Sequence, residues 1–194
     1  MPFLIDKADK PNFLRLTKHE AGHYIVAKAL GFSVKTIFLE MRNPHGHHSG
    51  GSELDLWMPV AGQQQTEDYL AKRIAILLAG AVGEAWIDGE VKQDAFAACL
   101  QVNGAQDRLK THELLQLLRN LRHPGTTVEA QTEKELADLE TQCINIAVDE
   151  IRKHQAAFDE LAQSLLARLT TYGIRETMTK GDVDALPAIK ACFP

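Results

Sequence analysis

"LTKHEAGHYIVAKALG", residues Leu16 to Gly31, carries His19, Glu20 and His23 in the pattern H-E-x-x-H. At 100° per residue the two histidines lie about 40° apart on a helix, one turn from each other, so both imidazoles can grip one ion. Glu20 lies about 60° from His23, too near in the chain to enter the same coordination position. Its carboxylate would point at a water on the ion instead. Two neutral imidazole ligands and a carboxylate to take a proton from water are the parts that metal-assisted peptide hydrolysis needs. The reading requires a helix, and the flanks supply one. Pro11 suits a helix start and Gly31 a helix end. Phe13, Leu16, Ile25, Val26, Ala29 and Leu30 provide apolar packing between them. The competing reading is a pair of histidines on a core-facing helix, hydrogen-bonded and inert.

The rest of the composition fits a globular carrier for such a site. The 194 residues are 45% hydrophobic and 24% charged, enough to bury a core in one domain or two small ones. The net charge is −5 and no basic block stands out, so nucleic acid is not an expected partner. Cys99, Cys143 and Cys192 are odd in number, widely spaced and free of C-x-x-C, which reads as reduced thiols in a cytoplasmic protein. No apolar leader precedes the motif. The longest apolar-rich run, Ile74 to Ile87, is too short to span a bilayer and includes Glu84.

Outward from the motif, Ser33 to Met41 is β-branched and partly alternating and reads as a strand. "RNPHGHHSGGS" (Arg42 to Ser52) reads as a mobile loop, with His45, His47 and His48 more often solvated than functional in such a setting. Glu53 to Val60 alternates and reads as a second strand ended by Pro59. A long buried helix is expected from Thr66, as its cap, to Ile87. Shorter helices follow over Asp94 to Leu100 and Asn103 to Arg122. Glu129 to Leu169 reads as helical, with a break near Lys153 to Gln155, and "TKGDVDAL" as a short capped helix. The expected class is mainly α with a small β-sheet.

Catalytic zinc usually takes three protein ligands. Spacing offers two sources for the third: Glu84 with Asp88, an E-x-x-x-D pattern like that of thermolysin-like enzymes, and Asp107 in the first turn of a later helix. Asp88 and Asp94 otherwise read as caps or solvated charges, and His112 as a helix-surface residue.

"LTKHEAGHYIVAKAL", "ILLAGAVGEAW" and "NGAQDRLKTHEL" occur in that order. Together with the C-terminal "DEIRKHQAAFDELAQSLLARLTTYGIRETMTKGDVDAL", they resemble the peptidase domain of the FtsH family of AAA zinc metalloproteases, over nearly the whole chain. The resemblance implies a single zincin domain, residues 1–194, with H-E-x-x-H on a helix. Residues 1–100 would hold the active-site helix, small sheet and central helix, and residues 101–194 a helical part bearing the third ligand. It implies zinc held by His19, His23 and Asp107, with Glu20 as the catalytic carboxylate. Glu84 would support a ligand from behind or stand as the alternative ligand. Tyr24, the lone glutamate of "VGEAW" and the loop "RNPHGHHSGG" depart from the family pattern. The chain has no G-x-x-x-x-G-K-[ST] and no transmembrane stretch. The expectation is therefore an ATP-independent zinc endopeptidase acting on flexible or unfolded polypeptides. The resemblance leaves room for a separate unfoldase partner and a homo-oligomer. The competing expectation is a metal-containing protein-binding or regulatory module that keeps the fold without proteolysis.

Overall fold

The H-E-x-x-H motif, His19 to His23, lies in the middle of α1 (Lys10–Ala29) in a computed structural model that describes residues 3–44 and 47–194. Pro11 sits in its first turn. At the other end Gly31 takes φ +86, a value open to glycine at little cost, and the chain folds back on the helix. The amides of Gly31 and Phe32 donate to the carbonyls of Lys28 and Ala27, closing a paired C-terminal cap. Residues on every side of α1 are buried, including the titratable His19, Glu20 and His23.

That burial comes largely from α2 (Gln63–Glu84), which crosses α1 on a face of small residues. A methyl added to Gly22 would collide with the Ala79 carbonyl oxygen, and one added to Gly83 with the Lys18 carbonyl oxygen. The helices therefore meet backbone to backbone. The helix begins three residues before the expected cap. Thr66 lies inside the first turn, its hydroxyl donating to the Gly62 carbonyl, and Gly62 takes the cap position. It also ends earlier than expected, at Glu84. Trp86–Ile87 (β3) and Glu90–Val91 (β4) make a short hairpin. Asp88 occupies its turn at φ +53, exposed, so Glu84 and Asp88 do not share a helix.

The strand after α1, β1 (Ser33–Met41), is the centre of a three-stranded antiparallel sheet. Its Val34, Ile37, Leu39 and Met41 are buried. On one side lies β2, which spans His48–Asp55 and not Glu53 to Val60 as the alternation suggested. The register explains the shift. Ser33, the first residue of β1, pairs with Asp55, so Leu56 to Val60 have no strand to join, while the glycines pair with the far end of β1. The expected loop thus shrinks to the connection before His48. His45 lies outside the described residues. On the other side of β1 runs β5 (Arg175–Met178), which was not anticipated.

The remaining helices are α3 (Gln93–Gln101), α4 (Ala105–Arg122), α5 (Glu129–Lys153) and α6 (Gln155–Arg168), then the short α7 (Lys180–Asp184) and α8 (Pro187–Cys192). The break between α5 and α6 falls where it was expected, and Thr179 and Asp182 close a reciprocal cap on α7. One buried cluster runs from Ile5 through α1, α2, α5 and α6 to Ile189. Among the described residues no helix is long and apolar enough to cross a membrane. The coarse expectation of a mainly helical chain with a small sheet holds.

The backbone crossing generates a prediction. Gly22→Ala forces α1 and α2 apart and should cost about 2 kcal/mol or more, a fall in Tm of about 4–8 °C for a chain of this size. Gly125→Ala, which meets nothing within 4 Å, should stay within about 0.5 kcal/mol of the parent. Thermal unfolding of the two variants side by side checks this; equal melting temperatures would refute the tight crossing.

Candidate metal centre

His19 and His23 project from α1 toward α2 at Gly80, where any side chain would collide with both Nε2 atoms. Each imidazole is held through its other nitrogen. His23 Nδ1 donates to the Ile76 carbonyl at 2.7 Å. His19 Nδ1 lies 3.2 Å from Glu84 Oε2. A carbonyl or a carboxylate can only accept, so both Nδ1 atoms carry protons, and in the neutral rings both Nε2 atoms turn lone pairs outward. The two Nε2 atoms are 3.2 Å apart.

Asp107, in the first turn of α4, completes the convergence. Its Oδ2 lies 3.2 Å from His23 Nε2 and 3.6 Å from His19 Nε2. Three electron-pair donors thus face one point. Ligands about 2.0–2.1 Å from a tetrahedral zinc would be about 3.3 Å from each other. The three observed separations bracket that value, and the imidazole–imidazole–carboxylate donor set suits zinc chemically. The residues fit a metal ion. Burial would raise the Asp107 pKa, but its bonds to His19 and His23 outweigh that and hold the carboxyl well below its ordinary range. Burial likewise disfavours charge on His19, yet Asp107, Cys99 and Glu84 around it leave its pKa well above the usual value. The pocket calls for positive charge.

Behind His19, Glu84 accepts from four donors. Oε2 receives the Cys99 thiol at 3.1 Å as well as His19, while Oε1 receives Asn103 Nδ2 at 2.7 Å and Arg15 Nη1 at 3.0 Å. Burial pushes the Glu84 pKa up, and these bonds more than reverse it. His19, Glu84 and Cys99 also lie close enough together to hold an ion. Glu84 is nevertheless fully occupied and stands on the far side of His19 from Asp107. It is placed to orient the ring and raise its basicity. The sequence reading missed Cys99 and Asn103. Asn103 lies four residues before Asp107, a spacing that could have flagged it.

Glu20 faces β2. Its main-chain carbonyl accepts from Ser52 Oγ at 2.7 Å, and its carboxylate packs directly on the Cα of Gly50, where a Cβ would strike Oε1. This is why the strand is glycine-rich here. Burial raises the Glu20 pKa, while His19, His23 and His48 pull it down, and the net shift is upward. His48 lies in β2 and lines the same cleft as the Nε2 pair, Glu20 and Asp107, a cleft of about 380 Å³ that opens to solvent. His47 and His112 are exposed and stand apart from it. Asp94 is exposed in the first turn of α3.

The structure thus brings together His19, Glu20, His23, Glu84 and Asp107 around the α1–α2 crossing, and leaves Asp88, Asp94, His47 and His112 elsewhere. No protein-family model matches the chain and no curated protein matches it, so any chemistry assigned to this cleft rests on its geometry and on the sequence motifs.

Proposed function

We propose that the chain is a zinc-dependent endopeptidase that hydrolyses flexible polypeptides without needing ATP of its own. The observation that carries the reading is the convergence of His19 Nε2, His23 Nε2 and Asp107 Oδ2 beside the Glu20 carboxylate at the mouth of an open cleft. The resemblance of the motif blocks to FtsH-type peptidase domains supports the same chemistry. His19, His23 and Asp107 would hold the zinc, which when bound supplies a Lewis acid and a water of lowered pKa.

The chain's own residues do the rest. The Ile76 carbonyl and Glu84 lock each imidazole in the tautomer that presents Nε2. Glu20, buried and lifted in basicity, accepts a proton from the attacking water at its carboxylate and later delivers it to the departing amine. Among the described residues β2 is an outer strand of the sheet, so its edge from Ser49 to Asp55 could pair with an extended segment, and its glycines let that segment approach Glu20 closely. An extended backbone is therefore the natural substrate shape, and a folded domain must open before it can enter.

Metal analysis separates the roles of the acids. Asp107→Ala removes one of three ligands and should weaken zinc binding by orders of magnitude. Glu84→Ala should retain zinc with a loss of about 10–100-fold in affinity. Zinc lost in Glu84→Ala and kept in Asp107→Ala would overturn the ligand assignment.

Glu20→Gln keeps size and hydrogen-bonding reach but cannot take up a proton. It should bind zinc normally and cleave casein about 10²–10⁴-fold more slowly. Undiminished cleavage with zinc bound would refute the mechanism. Absence of casein cleavage by the zinc-loaded parent protein would favour a binding module that keeps the metal site.

A tightly folded domain with about 5–15 kcal/mol of stability should resist the purified protein with or without ATP, since so little of it is open at any time. ATP-stimulated loss of that folded substrate in a degradation assay would show a nucleotide site that the sequence does not reveal.

A further inference from the structure

Each arginine of the chain other than Arg73 and Arg108 reaches a carboxylate within 4.0 Å. Arg108 is exposed and needs none. Arg73 differs: it is half-buried, lines the metal cleft, and makes no ion pair or hydrogen bond among the described residues. Burial disfavours its charge, and Tyr69 and Asp107 act on it only through longer-range attraction. A partly desolvated guanidinium without a partner is costly, and a planar anion that forks onto it would relieve that cost.

Its position is set by α2. Arg73 and Gly80 are seven residues apart, so they share a helix face about 10 Å apart along the axis. Gly80 faces the two Nε2 atoms. Arg73 therefore points to the same side as the metal-facing position, displaced toward the N-terminus of α2. Lys110 lies on α4 three residues beyond Asp107, about 5 Å along that axis, and lines the same cleft without an ion pair among the described residues. The two helices run antiparallel, because Gln63 donates to the Leu121 carbonyl and Arg122 pairs with Glu67. Both cations are thus displaced from the metal centre in the same direction.

The charge balance points the same way. A divalent ion would be matched by Asp107 and Glu20, leaving Arg73 and Lys110 as unbalanced positive charge in the cleft. For an extended chain running along that axis at about 3.3 Å per residue, the offsets of Lys110 and Arg73 correspond to about one and a half and about three residues, which places the acidic group two to three residues from the reacting bond.

We infer that Arg73 and Lys110 form a carboxylate-binding subsite, so that the preferred substrate is an extended peptide with an acidic group two to three residues from the scissile bond. The inference rests on the peptidase reading and adds a substrate class to it. An Asp or Glu side chain and a free chain terminus share the required chemistry.

The test uses fluorescent peptides that differ only by Glu or Gln at positions two and three residues on either side of the scissile bond, each made with a free and an amidated C-terminus. Binding is read by anisotropy on the zinc-loaded Glu20→Gln protein, and turnover on the zinc-loaded parent. One Glu peptide should bind and turn over at least about tenfold better than its Gln twin. The ratio should fall to about one in Arg73→Gln. Arg73→Glu should turn the preference toward a Lys peptide, a reversal that mere misfolding cannot produce. A preference that follows the free C-terminus instead assigns the subsite to the chain end. Turnover that is equal for Glu and Gln peptides, with free and amidated ends alike, overturns the subsite and leaves the peptidase reading standing. Selective binding through Arg73 without any turnover supports the subsite and overturns the peptidase reading. Failure of every peptide to bind overturns the subsite.

Discussion

The close crossing of α1 and α2 is the constraint on which the cleft depends. Gly22 and Gly83 let the two backbones touch, and Gly80 leaves room for two imidazoles at the contact. That proximity brings the Ile76 carbonyl to His23 and the Glu84 carboxylate to His19. A wider crossing would lose both bonds, and with them the fixed outward orientation of the Nε2 lone pairs. The buried core around the crossing is the support that keeps these polar groups in a fixed arrangement.

The charge pattern follows from that frame. Three acidic side chains, Glu20, Glu84 and Asp107, are drawn into a region lined by two imidazoles, and each is treated differently. Asp107 and Glu84 are stabilised as anions by directed bonds, whereas Glu20 packs against glycine backbone and has its basicity raised by burial. Similar side chains a few ångströms apart thereby acquire distinct charge states, which suit the proposed roles of metal ligand, ring anchor and proton acceptor.

How much of this was legible from the chain depended on how local the signal was. The helical pair His19 and His23 follows from spacing alone, and α1 is framed by Pro11 and Gly31, whose backbone preferences are strong. The break between α5 and α6 was visible in the same way. Asp107 could be singled out only through the resemblance of three motif blocks, because its partners are 84 and more residues away in the chain, a separation no periodicity reports. The strand β2 was misplaced because alternation in "ELDLWMPV" was weighed above pairing. Glycine has low strand propensity, but here the requirement that backbone lie against Glu20 and the Phe38 ring overrides it. Cys99 and Arg73 looked ordinary in sequence, and only burial and the presence or absence of partners sets them apart.

The pairing of β1 with β5 bears on how the molecule is made. Ile37 sits opposite Met178, and the amide of Ile5 donates to the Thr170 carbonyl, so the segment before α1 and the strand after it are both fastened by the last part of the chain. Such distant contacts form late, because the loop between them must close before they yield anything. During synthesis α1, α2 and α4 emerge well before β5 does. The wall of the cleft formed by β2 leans on a sheet that is complete only once residue 178 is available. A nascent chain would thus carry the helices of the candidate metal site for some time without a finished groove, and under the proposed peptidase function any cutting of neighbouring nascent polypeptides would wait until the chain is nearly whole.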